Sequence, residues 1–181
     1  PFVLMAALPH RPRLFFFGPR EEDMTAGLRN RLITWTASAV PYRPGRHDLL
    51  TATRRVEAVL ATGARLAIAG EGRISVGESR LTPLSDGPAY FALRAGVPLV
   101  PVAVSGTSWI AFGRRVTVRV GEPLRPAGRP TAEAVAALTA RLQAALEATI
   151  AGTPELARPG RFGRWLTELF NDWPEGARPA P

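Results

Sequence analysis

Apolar positions along this chain switch between two periods, and the switches mark out its elements. Residues 14–17 (LFFF) and 64–69 (ARLAIA) are short apolar runs of strand length, and 97–106 (VPLVPVAVSG) is a longer, nearly continuous one. Residues 24–39 instead group Leu28, Leu32, Ile33 and Trp35 at helical spacing, followed by an expected turn over PYRPGR (41–46). HDLLTATRRVEAVLATG (47–63) repeats the helical pattern with Leu49, Leu50, Val56, Val59 and Leu60, and Gly63 supplies a stop. GPAYFALRA reads as a helix with Ser85 or Asp86 as N-cap and Gly96 just beyond its end. From Thr131, a long helix carries Val135, Leu138, Leu142, Leu146 and Ile150 on one stripe.

Two buried-type strands separated by a short helix, 64–69 and 97–106, predict a βαβ unit with parallel pairing. WIAF (109–112) and VTVRV (116–120), joined around GRR, predict a hairpin at the far side of the same sheet. The expected fold class is therefore α/β, a mixed, largely parallel sheet flanked by helices. The pattern divides the chain into a domain over 1–152, an amphipathic aromatic segment over 153–173 and a disordered tail over 174–181.

Composition narrows the chemistry. The chain has 181 residues, 46% of them hydrophobic and 21% charged, enough for one domain with a core. Without cysteine, disulfides and thiolate metal sites are excluded. His10 and His47, the two histidines, share no ligand spacing, so no metal is expected. The net charge of +8 is carried by arginine alone, since lysine is absent. Such a charge attracts phosphates on lipid, nucleic acid or a small substrate. The arginines are scattered, without interleaved aromatics or a helix-turn-helix or zinc pattern, which argues against nucleic acid.

No apolar run approaches the ~20 residues of a membrane-spanning helix. The segment 161–173 does group Phe162, Trp165, Leu166, Leu169, Phe170 and Trp173 behind leading arginines. Two arrangements suit it: a helix lying in a lipid interface, or a terminal helix docking its aromatic stripe on the domain. Glu168 and Asp172 weaken attraction to anionic lipid and weigh toward docking.

The stretch IAGEGRIS (68–75) concentrates candidate chemistry where an apolar strand breaks into charge. In parallel sheets, ligands bind beyond the carboxyl ends of strands, which is where Glu71, Gly72 and Arg73 fall. Gly72 permits close backbone approach, and Arg73 offers forked donors suited to phosphate. Glu71 could orient Arg73 or a substrate hydroxyl, and Ser75 could add a donor; a surface salt bridge from Glu71 to a nearby arginine is the plain alternative.

Residues 70–107, GEGRISVGESRLTPLSDGPAYFALRAGVPLVPVAVSGT, resemble the 1-acyl-glycerol-3-phosphate acyltransferases. Glu71 to Ser75 matches the Glu-Gly-Arg-Ile-Ser variant of that family's third motif. Asp86 to Gly96 is similar to its glycine-led helix, and Val97 to Val102 to its Val-Pro-x-Val-Pro-Val motif, with Gly106 and Thr107 next in order. The second motif is looser: SAVPYRPG puts Arg43 in the place of its arginine, with Arg46 as a nearby substitute. The resemblance spans about residues 1–150.

It implies transfer of a fatty acyl group from coenzyme A or acyl carrier protein to a lysophospholipid hydroxyl, without cofactor or metal. Arg43 and Arg73 would hold the acceptor's phosphate. It also implies work at the cytoplasmic face of a membrane, reached through the 161–173 segment or an N-terminal anchor. The family's catalytic His-x-x-x-x-Asp is the departure: His10 is followed five residues on by Phe15, and His47 by Ala52. On the C-terminal side of that motif the family carries a short apolar helix, a proline and a strand, and PFVLMAALPHRPRLFFF resembles this continuation. The motif is therefore expected upstream of Pro1. A chain without it would be a non-catalytic lipid-phosphate binding protein.

Overall fold

The computed structural model describes residues 2–19, 38–42, 49–71, 77–109, 112–157 and 159–170. The chain divides into two compact units, Pro1–Ala69 and Gly70–Pro181. It is a mixed α/β fold whose parallel sheet lies in the first unit.

That unit opens with helix α1 (Phe2–Ala7), the turn-forming Pro9 and strand β1 (Leu14–Pro19), the helix, proline and strand order expected from the sequence. β1 is the centre of three parallel strands, between β2 (Ala39–Tyr42) and β3 (Arg65–Ile68). Phe16 and Phe17 lie opposite Ala39 and Val40 on one side, and Ala67 and Ile68 on the other. Parallel neighbours need a crossover, and helix α2 (Leu49–Ala61) provides it between β2 and β3. Ala52 and Val56 of α2 have no exposed surface, while Gly63, at φ +74°, turns the chain back toward β3.

Arg65 fastens the entry to the sheet. Its Nε donates to Pro12 O at 3.1 Å, and its Nη2 donates to both Pro12 O and Pro9 O. Phe17 stacks on Tyr42 at 5.5 Å between centroids, joining β1 to β2 by side chain as well as backbone.

Two expectations change in this unit. Pro41 and Tyr42, read as the start of a turn, are instead the end of β2, and Ser38 and Ala39 are not helical; the rest of the predicted turn, 43–46, and of the predicted helix, 24–37, lies outside the described residues. Pro41 is tolerated in a strand because, among the described residues, β2 has one neighbour and lies at the edge of the sheet. Leu49 and Leu50 are exposed rather than core, at 52% and 72%. Leu49 sits in the first turn of α2, and Leu50 is about 100° around the helix from it, off the Thr53–Val56 line.

The second unit contains α3 (Gly87–Ala95), β4 (Val102–Ser105), β5 (Thr117–Val120), α4 (Ala132–Ile150) and α5 (Arg161–Phe170). Its core forms where α3 meets α4: Ala89, Ala92 and Leu93 pack with Val135 and Leu138, flanked by Leu99 and Leu124. α4 follows its sequence closely. Thr131 Oγ1 accepts from Ala134 N at 3.2 Å as the N-cap, and Val135, Leu138 and Leu142 are buried. Gly96 ends α3 at φ +64° and Asp86 stands at its N-cap, both as expected, although the Asp86 side chain makes no capping hydrogen bond and accepts from Thr139 instead.

The run read as the second parallel strand of a βαβ unit has an antiparallel partner within its own unit. β4 pairs antiparallel with β5, Val102 opposite Val120 and Ser105 opposite Thr117. Only four residues of the long apolar run are strand, because Pro98 and Pro101 lack the N–H that a ladder needs. The hairpin is thus β4–β5, and the described part of WIAF is bend and turn.

Candidate functional site

The segment from Gly70 to Asp86 is held by three carboxylates, each binding backbone or hydroxyl donors. Glu71 comes three residues after β3 and is half-buried. Its Oε1 accepts from Thr82 N at 2.6 Å and Thr82 Oγ1 at 2.9 Å, closing the two sides of the segment on each other. Gly70 O accepts from Ser85 N at 2.8 Å and Ser85 Oγ at 3.0 Å, extending that closure. A Cβ on Gly70 would stand 3.0 Å from a methyl of Leu84, so the close approach favours glycine.

Glu78 is the buried member, 7% exposed. Its Oε2 accepts from Gly106 N at 2.8 Å, and its Oε1 accepts from Ser108 N at 2.8 Å and Ser108 Oγ at 2.5 Å. Three donors converging on one carboxylate compensate the cost of taking it from water. Gly106 is required for this geometry: its φ is +90°, and a Cβ would fall 2.3 Å from Arg115 O. Glu155 completes the series from the segment after α4. It accepts from Glu78 N at 3.1 Å, Ser79 N at 2.9 Å and Ser79 Oγ. The Ser79 hydroxyl, then the backbone N–H groups of Glu78 and Ser79, with help from Arg80, hold the Glu155 carboxyl below its ordinary value of 4.5.

Helix α4 steadies the far end of the segment. Leu84 N donates to Gln143 Oε1 at 3.2 Å, and Thr139 Oγ1 donates to Asp86 Oδ1 at 2.9 Å. Gln143 Nε2 donates to Glu147 at 2.7 Å, which fixes the amide with its oxygen toward Leu84.

Of the residues selected from sequence, Glu71 is described, and its role is concrete: it clasps Thr82. Gly72, Arg73 and Ser75 lie outside the described residues, as do Arg43, Arg46 and His47. Gly72, Arg73 and Ser75 therefore belong to a stretch whose ends, Glu71 and Gly77, adjoin the clasps at Thr82 and Glu155. His10 is exposed in the bend between α1 and β1. Sequence reasoning missed Glu78, Ser108, Ser79 and Glu155. The available signal was weak, an acid flanked by Gly77 and Ser79 and a serine shortly after a strand.

α5 also departs from expectation. Two rings of its aromatic stripe are not docked, Phe162 at 60% and Trp165 at 55% exposed, while Leu166 is partly buried and Thr167 completely so; the side chains of Leu169, Phe170 and Trp173 lie outside the described residues.

No family model matches the chain, and no curated protein sequence matches it. Among solved structures, the chain is similar to the 1-acyl-sn-glycerophosphate (LPA) acyltransferase PlsC from Thermotoga maritima, with a TM-score of 0.55 and 21% identity. The likeness covers 75% of this chain and 55% of that one, so the chain spans about half the length of the protein it resembles. At this identity the likeness is one of fold.

Proposed function

We propose that this chain is the acceptor-binding part of an acyltransferase that esterifies a lysophospholipid, with 1-acyl-glycerol-3-phosphate converted to phosphatidate as the leading case. The observation that carries the reading is a coincidence of two kinds: the fold is that of a PlsC-like protein, and the ordered 70–107 motif set lies on it. The hydrogen bonds from Thr82 to Glu71 and from Glu78 and Ser79 to Glu155 support the reading, since they order the chain on either side of 72–76.

In the proposed reaction, the acceptor hydroxyl loses its proton to a general base as its oxygen attacks the thioester carbonyl carbon. The C–S bond then breaks, the ester forms, and the thiolate leaves with a proton returned by the base. Arg73 and Arg43 hold the acceptor phosphate through forked, charge-assisted hydrogen bonds. Gly72 leaves space for the backbone to approach the ligand, Ser75 adds a donor, and Glu71 maintains the loop. No residue of 1–181 is assigned as the base, since neither histidine has the His-x-x-x-x-Asp spacing. The donor is an acyl thioester of coenzyme A or acyl carrier protein.

The decisive assay uses the full-length protein, an acyl thioester and lysophosphatidate. Release of free thiol only with the acceptor present supports the reading, and binding without release supports a non-catalytic lipid-phosphate protein. The second reading stands on one fact: neither His10 nor His47 has an aspartate five residues on. Within an active protein, Arg73→Ala should raise the acceptor KM by about 100-fold while changing the donor KM little. Equal loss for both substrates would count against the phosphate role.

A further inference from the structure

We infer that the aromatic ridge formed by Phe112, Phe162 and Trp165 is a docking face for an anionic membrane surface. The ridge joins two parts of the second unit. Phe112, in the turn after Ser108–Trp109, is 89% exposed, and its ring stacks on Phe162 of α5 at 6.5 Å and 11°. Phe162 in turn lies 5.7 Å from Trp165. An apolar groove of about 310 Å³ runs beside them, lined also by Pro159 and Leu166.

The arrangement is built in. Arg114 donates to Trp109 O at 3.2 Å and to Ala157 O at 3.3 Å, so one guanidinium ties the turn bearing Phe112 to the segment leading into α5. Burial of Thr167, with its hydroxyl donating to Gly163 O at 2.7 Å, sets the opposite side of α5 inward. Three large aromatic rings gathered in the open mark an interaction surface.

Charge selects the occupant. The turn and α5 carry Arg114, Arg115, Arg161 and Arg164 against one acid, Glu168, and Arg115 and Arg161 are exposed. A second copy seated on this face by two-fold symmetry would bring arginine against arginine. Anionic headgroups instead neutralise the rim while the rings enter the boundary between headgroups and acyl chains. The ridge supplies a lying-on contact, since no helix among the described residues is long and apolar enough to cross a membrane.

The inference is independent of the proposed reaction, and its test needs no substrate. The chain is sedimented with vesicles of phosphatidylcholine alone or with phosphatidylglycerol added. Binding is expected to favour the anionic vesicles and to weaken with salt, and the pair Phe112→Ser with Trp165→Ser should reduce it about tenfold or more. Arg115→Gln with Arg161→Gln should remove the preference for anionic lipid. Circular dichroism checks that each variant stays folded, as exposed positions allow. Failure of the folded chain to bind, or unchanged binding by the aromatic pair variant, overturns the inference. So does a concentration-dependent dimer, seen by sedimentation velocity, that the same aromatic substitutions abolish, since a second copy would then be the occupant.

Discussion

The acid-clasped segment and the aromatic ridge lie in the same unit and break the ordinary rule of burial in opposite directions. In the first, a charge is inside: Glu78 is buried with three donors on it. In the second, large apolar rings are outside, stacked on one another in the open. The difference lies in whether the exception is satisfied internally. A buried acid with its donors supplied is complete and acts on local shape, whereas an exposed ridge has no such completion and points beyond the chain.

That contrast is open to attack at several strengths. Glu78→Ala should have the largest effect, a loss of about 4 kcal/mol in urea unfolding, because it strands the buried N–H of Gly106 and the donors of Ser108. Gly106→Ala should cost about 3 kcal/mol, since the φ of +90° and the approach of Arg115 O both exclude a Cβ. If Glu78→Ala unfolds no more easily than the parent, the acid is not what holds the segment.

Glu71→Gln should cost about 1 kcal/mol, as a half-buried amide keeps one acceptor for Thr82. Glu155→Ala should cost less than about 1 kcal/mol near neutral pH, because the carboxylate is exposed and solvent screens it. The folded-state pKa of Glu155 is depressed, so its contribution is present above the ordinary 4.5 and fades as pH falls through the lower folded value. Unfolding curves of parent and variant should therefore differ at pH 7 and converge in acid. On the ridge, Phe112→Ser should shift stability by no more than about 0.5 kcal/mol, and a larger change would show the ring to be structural.

The sequence made some of this legible and hid the rest for a physical reason. α4 could be read in full because its cap, Thr131, and its stripe from Val135 to Leu142 are local signals. The α/β class was legible from apolar runs alternating with helical periods. The partner of β4 was not, since strand pairing is set across distance and the prolines at 98 and 101 shorten the run that suggested a parallel strand. Glu71 stood out because it interrupts an apolar run. Glu78 and Glu155 did not, because the groups that bind them are mainly backbone N–H, which every sequence contains and no motif announces. The exposure of Phe162 and Trp165 was not legible either, since helical spacing groups apolar side chains without saying what covers them.

The two contacts between α4 and the 84–86 stretch act together as a length gauge. Thr139 and Gln143 stand four residues apart on the helix, a rise of about 6 Å, and meet Asp86 and Leu84, two residues apart in the chain leading into α3. The spacings match only while no residue is gained or lost between those anchors. A one-residue insertion at 85 would leave either the Leu84 N–H or the Asp86 carboxylate without its partner. Connections elsewhere absorb such changes readily; this one should reject them, however polar its sequence.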